Sequence, residues 1–389
     1  MGRKLIHNAI IYTPTERGFH GWVIVEDQKI LTIQHGAPSA STMDSAAFLV
    51  DAQGAALLPG FIDIHIHGAL GYCTMDADEK GLQKIAMRSA AHGVTTFLPT
   101  TLTDDRKSTL KAIRAVSSQI GVRRGGSKVA GIYLEGPYFN PVRAGAQNDS
   151  WIRRADMEEI QAFMDAGTIR VIAMAPEYPE NLKAAEFFAE RGIAVSAGHS
   201  DATYQTLLKA SEHGFNQITH LYNGMLGFEH REPGMVGGAL TIDAYSCELI
   251  CDNVHSHPAA QKLAWQAKRA DKLILITDCI RPAGLEDGTY PFTASEKVTV
   301  SNQGKTLKLA NGSLAGSSLT MDQALRNFMV NTGATLDEVW PCTSLNAARQ
   351  IGISAETGSI EKGKLADLVL LDDQFRVKMT MIEGTIFTQ

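Results

Sequence analysis

Six side chains able to bind metal or move protons stand at the ends of apolar runs along this 389-residue chain. The first two are His65 and His67, in Phe61-Ile62-Asp63-Ile64-His65-Ile66-His67-Gly68. In a strand, residues i and i+2 point to one face, so the two imidazoles project together and can hold a transition-metal ion. Alone, the pair reads first as a buried strand whose histidines bond to backbone. The pattern repeats downstream in Gly131-Ile132-Tyr133-Leu134-Glu135, Ser196-Ala197-Gly198-His199, Gln217-Ile218-Thr219-His220 and Leu275-Ile276-Thr277-Asp278. Burying four imidazoles and two carboxylates without a cation leaves much polar surface unpaired. Histidine and carboxylate without cysteine suit zinc, iron, manganese or cobalt. Two ions could share Glu135, one on His65 and His67 and the other on His199 and His220; a single ion on Glu135, His199 and His220 is the alternative. Bound metal lowers the pKa of water toward 7, and a carboxylate such as Asp278 can take the water's proton and pass it to a leaving group. The pattern points to metal-assisted hydrolysis.

The elements that must position these residues alternate. From about 61 to 350, near-continuous apolar runs end near His67, Pro99, Glu135, Ala175, His199, His220, Asp252 and Asp278. Such runs read as parallel strands buried on both faces. Helical stretches lie between them at about 79–92, 104–120, 156–166, 180–191, 202–213 and 257–270. The spacing of roughly 30 residues per unit matches a (β/α)8 barrel of ~250 residues, whose C-terminal strand ends carry the active site. An open doubly wound sheet is the runner-up, but no glycine-rich phosphate fingerprint follows the first strand. Residues 286–312 interrupt the alternation with a hairpin-rich insertion, and helices resume at about 320–331, 336–339 and 343–350. Residues 1–58 read as short strands, with Trp22–Glu26 and Lys29–Ile33 flanking a turn at Asp27-Gln28. Strands return at 368–371, 377–382 and 385–387. The expected fold is therefore α/β: a TIM-like (β/α)8 catalytic barrel over 59–354, and a small β-sandwich domain made from both chain ends, 1–58 plus 355–389.

Composition narrows the function classes. With 44% hydrophobic and 20% charged residues the chain reads as an ordinary globular protein. A net charge of −6 with no basic stripe argues against a nucleic-acid partner. No apolar run approaches the ~18–20 residues of a membrane span, and the N-terminus lacks a signal peptide's apolar core; a cytoplasmic location is expected. The five cysteines are scattered without a CxxC, so no disulfide framework or zinc ribbon is suggested. Cys279 follows Asp278, but no activating environment marks it as a nucleophile.

The His65-Ile66-His67 pair, Asp278 and Gly363-Lys364-Leu365-Ala366-Asp367-Leu368-Val369 resemble the amidohydrolase superfamily. Further blocks resemble its N-acetylglucosamine-6-phosphate deacetylase family: Leu134-Glu135-Gly136-Pro137, Ser196-Ala197-Gly198-His199-Ser200, Thr219-His220-Leu221-Tyr222-Asn223-Gly224-Met225, Arg231-Glu232-Pro233-Gly234, Asp252-Asn253-Val254-His255 and Leu314-Ala315-Gly316-Ser317-Ser318. They occur in order along nearly the whole chain.

This resemblance implies removal of the N-acetyl group from N-acetylglucosamine 6-phosphate, releasing acetate and glucosamine 6-phosphate, in amino-sugar catabolism and recycling. It implies one or two divalent transition-metal ions, zinc or iron first and manganese or cobalt next. Glu135, His199 and His220 would bind the main ion, and His65 and His67 would complete a second site. Asp278 would be the acid–base residue, and His255 would polarise the acetyl carbonyl. Asn223 and Gly224 would bind phosphate or sugar. Leu314, Ala315 and Gly316 would line the sugar pocket. Arg231 would reach the neighbouring active site of a homodimer to bind phosphate. Gln147, in Arg143-Ala144-Gly145-Ala146-Gln147-Asn148, replaces a histidine of some family members and is, with Ala146, expected to contact substrate. His257 is left without a role. Another N-acetyl hexosamine phosphate, such as N-acetylgalactosamine 6-phosphate, is an alternative substrate. A non-catalytic scaffold is the reading from a different class, and retention of every ligand speaks against it.

Overall fold

The structure is a computed structural model that describes residues 2–121, 125–293 and 296–388. Met1, Gln389 and residues 294–295 of the expected insertion lie outside the described residues.

Eight parallel strands appear where the apolar runs predict them. They are Phe61–Ile66, Val94–Pro99, Ile132–Glu135, Ile169–Met174, Ala194–Ala197, Phe215–Ile218, Ser246–Ile250 and Leu273–Ile276, called strands one to eight below. Strands one and two pair with each other, and strands three to eight pair in sequence order. The parallel strands form a curled array of two sheets. Lys128–Val129, just ahead of strand three, pairs with strand two, and Thr100 bridges Tyr133. On the other side the Asp278 N–H donates to the His65 carbonyl at 2.9 Å.

Helices pack outside this sheet through their apolar faces. Arg106–Ser117 buries Thr109, Ala112, Ile113 and Val116, the i, i+3, i+4, i+7 pattern of an amphipathic helix. Asp105 caps its start by accepting from the N–H groups of Lys107 and Ser108, which satisfies donors the first turn leaves open. Asp78 and Asp156 do the same for Glu79–Ala91 and Met157–Ala166. The sequence reading missed the helix Gly234–Thr241. Its Gly-Gly pair resembles a loop, but seven of its eight residues are buried, so packing outweighs glycine's poor propensity.

Both chain ends enter one further sheet of eight strands. Leu368–Leu371 pairs antiparallel with Ala56–Pro59, and Lys4–Ile11 pairs with Phe19–Glu26. The turn at Asp27-Gln28 joins the latter to Lys29–His35 as predicted. Alternation along Leu368–Leu371 decides how this sheet attaches. Leu368 and Leu370 pack with Ile6, Val23 and Met381, while Val369 and Leu371 join the core of the parallel sheet, as a period of two requires. Asp367 pins the junction, accepting from Lys128 Nζ at 2.6 Å, Thr357 Oγ1 at 2.7 Å and the Glu383 N–H at 2.9 Å. The insertion forms three antiparallel strands, Gly288–Pro291, Lys297–Ser301 and Thr306–Leu309, around a small core that includes Ile280, Phe292 and Leu307.

Candidate metal centre and pocket

All six predicted side chains meet at one end of the parallel sheet and are buried. They fall into two groups of three: His65, His67 and Asp278, and Glu135, His199 and His220. Glu135 joins the groups. Its Oε1 lies 3.0 Å from His220 Nε2 and 3.2 Å from His199 Nε2, and its Oε2 lies 3.3 Å from His67 Nε2. Asp278 Oδ1 lies 3.2 Å from His67 Nε2 and 3.6 Å from His65 Nε2.

Local backbone sets this convergence. Glu135 is the last residue of strand three, but His199, His220 and Asp278 lie two residues beyond their strands rather than on them. Each has a left-handed backbone, with φ of 46°, 29° and 50°. Such a conformation costs a non-glycine residue ~1–3 kcal/mol and persists only where the surroundings impose it. Those surroundings are visible: the Asn140 N–H donates to the His199 carbonyl at 2.9 Å, the Glu248 carboxylate accepts the His220 N–H at 3.2 Å, and Asp278 is tied to His65. Gly224 faces the His199 ring so closely that an added Cβ would sit 3.0 Å from Nδ1, and its own φ is +59°.

Three of the four outer ring nitrogens are committed, and His67 Nδ1 is buried without a hydrogen-bond partner. His199 Nδ1 meets the Arg143 carbonyl at 2.9 Å, and His220 Nδ1 meets the Asn223 carbonyl at 3.1 Å. Carbonyls only accept, so both Nδ1 atoms carry protons, and each ring turns its Nε2 inward as the nitrogen left to ligate. His65 Nδ1 donates to Glu248 at 2.8 Å. The inward Nε2 atoms are 3.1 Å apart for His199 and His220 and 3.3 Å apart for His65 and His67. Lone pairs facing one another and two carboxylates are stable only around positive charge. Without metal that charge is protons. Burial disfavours protonation of His65, but Glu248 and then Glu135 outweigh it and raise its pKa to about 9. Burial likewise works against the charged Glu135, yet His65 and the other three imidazoles hold its carboxyl well below the usual range. The donor set fits a divalent metal, with imidazole and carboxylate ligands and the outer nitrogens of His65, His199 and His220 oriented by hydrogen bonds.

The centre floors an open pocket. His67, Glu135, His199, His220 and Asp278 line it, as do Ala146, Gln147, Asn223, Gly224, His255, Leu314 and Gly316. Ala315 does not; it is fully buried behind them in the core of the insertion. Gln147 touches the centre itself, donating through Nε2 to Glu135 Oε2 while its Oε1 accepts from the Thr103 N–H at 2.7 Å. His255 is fixed by Asp252, whose Oδ2 accepts from Nδ1 at 2.7 Å. Arg231 is exposed and takes no part in lining the pocket of its own chain. Cys279 is buried, and its thiol donates to the Leu319 carbonyl at 2.8 Å; burial pushes the thiol's pKa up. His257 is an N-cap: its Nδ1 accepts from the Ala259 N–H at 3.1 Å at the start of Pro258–Lys272. The His-Pro pair was the available signal, since proline favours the first helical position.

Several contributors escaped the sequence reading. Leu102, Ile280 and Phe292 form an apolar side of the pocket. Asp63 and Glu248 support it from below. Asp63 accepts from Thr277 Oγ1 at 2.6 Å and from the main-chain N–H groups of Thr277 and His65 at 3.3 Å, so it ties strand one to strand eight. Burial raises its pKa to about 6. The available signal was a charged residue inside an otherwise apolar strand.

Residues 56–387 match the amidohydrolase family. The N-acetylglucosamine-6-phosphate deacetylase of Bacillus subtilis is 39% identical over 387 residues, covering 98% of this chain and 96% of that one. The N-acetylgalactosamine-6-phosphate deacetylase of Escherichia coli O157:H7 is 38% identical over 332 residues, covering 85% and 87%. Among solved structures, a mutant N-acetyl-D-glucosamine-6-phosphate deacetylase from Mycobacterium smegmatis in complex with N-acetyl-D-glucosamine-6-phosphate superposes with a TM-score of 0.91 at 28% identity, covering all of both chains.

Proposed function

The chain belongs to the amidohydrolase family, and from that premise we propose that it hydrolyses the N-acetyl group of N-acetylglucosamine 6-phosphate to glucosamine 6-phosphate and acetate. The observation that carries this reading is the pair of joined metal-ligating groups at the floor of a pocket, in a chain aligned almost end to end with relatives named for that reaction. We read the curled sheet as a closed (β/α)8 barrel over 59–354 and the shared sheet of 1–58 and 355–389 as a small β-sandwich domain; the contacts at both edges of the parallel sheet support this.

His65, His67, Glu135, His199 and His220 would hold one or two divalent ions, zinc or iron first. When bound, the metal polarises the acetyl carbonyl and acidifies water toward neutral pH. Asp278 takes the proton of the attacking water and returns it to the departing amine. His255, held through Nδ1 by Asp252, hydrogen-bonds the acetyl oxygen through its other nitrogen when the ring carries its second proton, stabilising charge as it develops there. Leu102, Ile280 and Phe292 exclude water from one side. Asn223 and Gly224 face the sugar phosphate. Arg231, exposed on its own chain, would reach the pocket of a second copy in a homodimer. Among the described residues no helix is long and apolar enough to cross a membrane; a cytoplasmic location is proposed from the phosphosugar chemistry for which the relatives are named.

Two experiments test this. Metal-loaded protein should release acetate from N-acetylglucosamine 6-phosphate, and failure to release it from any N-acetyl sugar phosphate would overturn the reading. N-acetylgalactosamine 6-phosphate belongs in the same panel, because the Escherichia coli relative named for it is nearly as similar over most of this chain. In the second, Arg231→Ala should lower kcat/KM for the phosphorylated sugar roughly 10–100-fold, the scale of a hydrogen bond to a charged group. Turnover of unphosphorylated N-acetylglucosamine should not change; equal losses on both would remove the phosphate role.

A further inference from the structure

Glu248 is a fully buried carboxylate in the middle of strand seven, and the proposed chemistry does not use it. Alternation along the strand turns Cys247 outward, where its thiol donates to the Ala239 carbonyl of the helix Gly234–Thr241, and turns Glu248 inward beneath the metal centre. Its Oε2 accepts from His65 Nδ1 at 2.8 Å and from the His220 N–H at 3.2 Å; its Oε1 accepts from Gln217 Nε2 at 2.5 Å. One carboxylate thus braces a ligand from each group of three. A buried carboxylate is costly unless paired, and among the described residues its one ion-pair partner is His65. That imidazole's Nε2 in turn faces His67, Glu135 and Asp278.

We propose that Glu248 is a positioning residue that sets metal occupancy of the His65–His67 side of the centre. The inference rests on the metal-centre reading above. Holding Nδ1 protonated leaves the Nε2 lone pair free to ligate, and a carboxylate partner makes the ring a stronger donor; partners of this kind typically change metal affinity 10–100-fold. The His199–His220 side depends less on Glu248, because those rings are oriented by the carbonyls of Arg143 and Asn223.

Glu248→Gln separates charge from shape. The amide oxygen can keep the contacts to His65 and His220, and its NH2 would then face Gln217. Gln217 Oε1 is buried without a hydrogen-bond partner, so a flip of that side chain supplies the acceptor. The variant should therefore fold, with a metal-free melting temperature close to wild type. Zinc content of the full-length protein, measured by equilibrium dialysis against buffered free zinc, should show two equivalents in wild type. In Glu248→Gln one equivalent should weaken 10–100-fold and the other should be retained. In a His65→Gln background, Glu248→Gln should change zinc binding no further. Two equivalents with wild-type affinity in Glu248→Gln, equal weakening of both, a further loss in the His65→Gln background, or a variant that does not fold would overturn the proposal. So would a wild-type protein that takes up one ion, while acetate release from that same sample would leave the deacetylase reading standing.

Discussion

Asp278→Asn protein should keep its metal and lose turnover by roughly 10²–10⁴-fold, the range for removing a general acid–base. The asparagine oxygen can occupy the place of Oδ1, 3.2 Å from His67 Nε2, so the polar contact that adjoins the centre survives. What disappears is the capacity to take up a proton and give it back. Hydrolysis of an amide needs both acts: the attacking water must lose a proton, and the amine leaves only once it gains one. Asp278 suits the task because burial works against its charge while His67 and then His65 favour it, leaving a carboxyl lowered from its ordinary value and therefore ionised in the resting chain. Metal content and steady-state kinetics on one preparation decide the matter. Near-normal kcat would remove Asp278 from the mechanism, and loss of metal would make it a ligand instead.

Glu135→Gln should have the larger effect on metal. All four imidazoles approach this carboxylate, at 3.0 Å for His220, 3.2 Å for His199, 3.3 Å for His67 and 3.6 Å for His65. Replacing it with a neutral amide removes a ligand charge common to both groups and turns an N–H donor toward a site that gathers cations. Zinc retention after dialysis should fall to a trace. Activity should fall at least ~10³-fold, comparable to chelator-stripped wild type, because the metal supplies several kcal/mol of charge stabilisation and the acidified water together. Added metal should restore the stripped wild type but not the variant. A Glu135→Gln protein that binds metal and turns over normally would show the histidines to be sufficient.

Much of the site was legible in the sequence because its residues break a pattern. A histidine or carboxylate ending an apolar run stands out, and eight such runs at even spacing place their ends on one rim. The supporting residues were harder to see. Glu248 sits mid-strand, where the run Cys247-Glu248-Leu249-Ile250 reads as ordinary strand with one polar position, and its partners His65 and Gln217 lie far away in the chain. Gln147 read as a sugar contact, because nothing local reveals that Thr103 and Glu135 hold it at the centre. Ala315 read as pocket lining because its neighbours are, but its side chain packs into the insertion's core. The Gly-Gly helix at 234–241 was missed because propensity is a local quantity and its burial is not.

The sequence by itself determined the residue types at the rim, the strand–helix alternation that brings them there, and, through the blocks shared with one family, the class of reaction. Those are properties of local pattern and spacing. Tertiary structure alone decided how the side chains aim. His199, His220 and Asp278 leave their strands in left-handed backbone that their own propensities disfavour, and only hydrogen bonds from neighbouring strands and loops hold them there. Those long-range contacts also place Glu135 between the His65–His67 and His199–His220 pairs, with all four Nε2 atoms facing it. The physical reason is that a strand's period tells which face a residue takes, whereas the direction of a strained side chain is set by partners the local sequence does not contain.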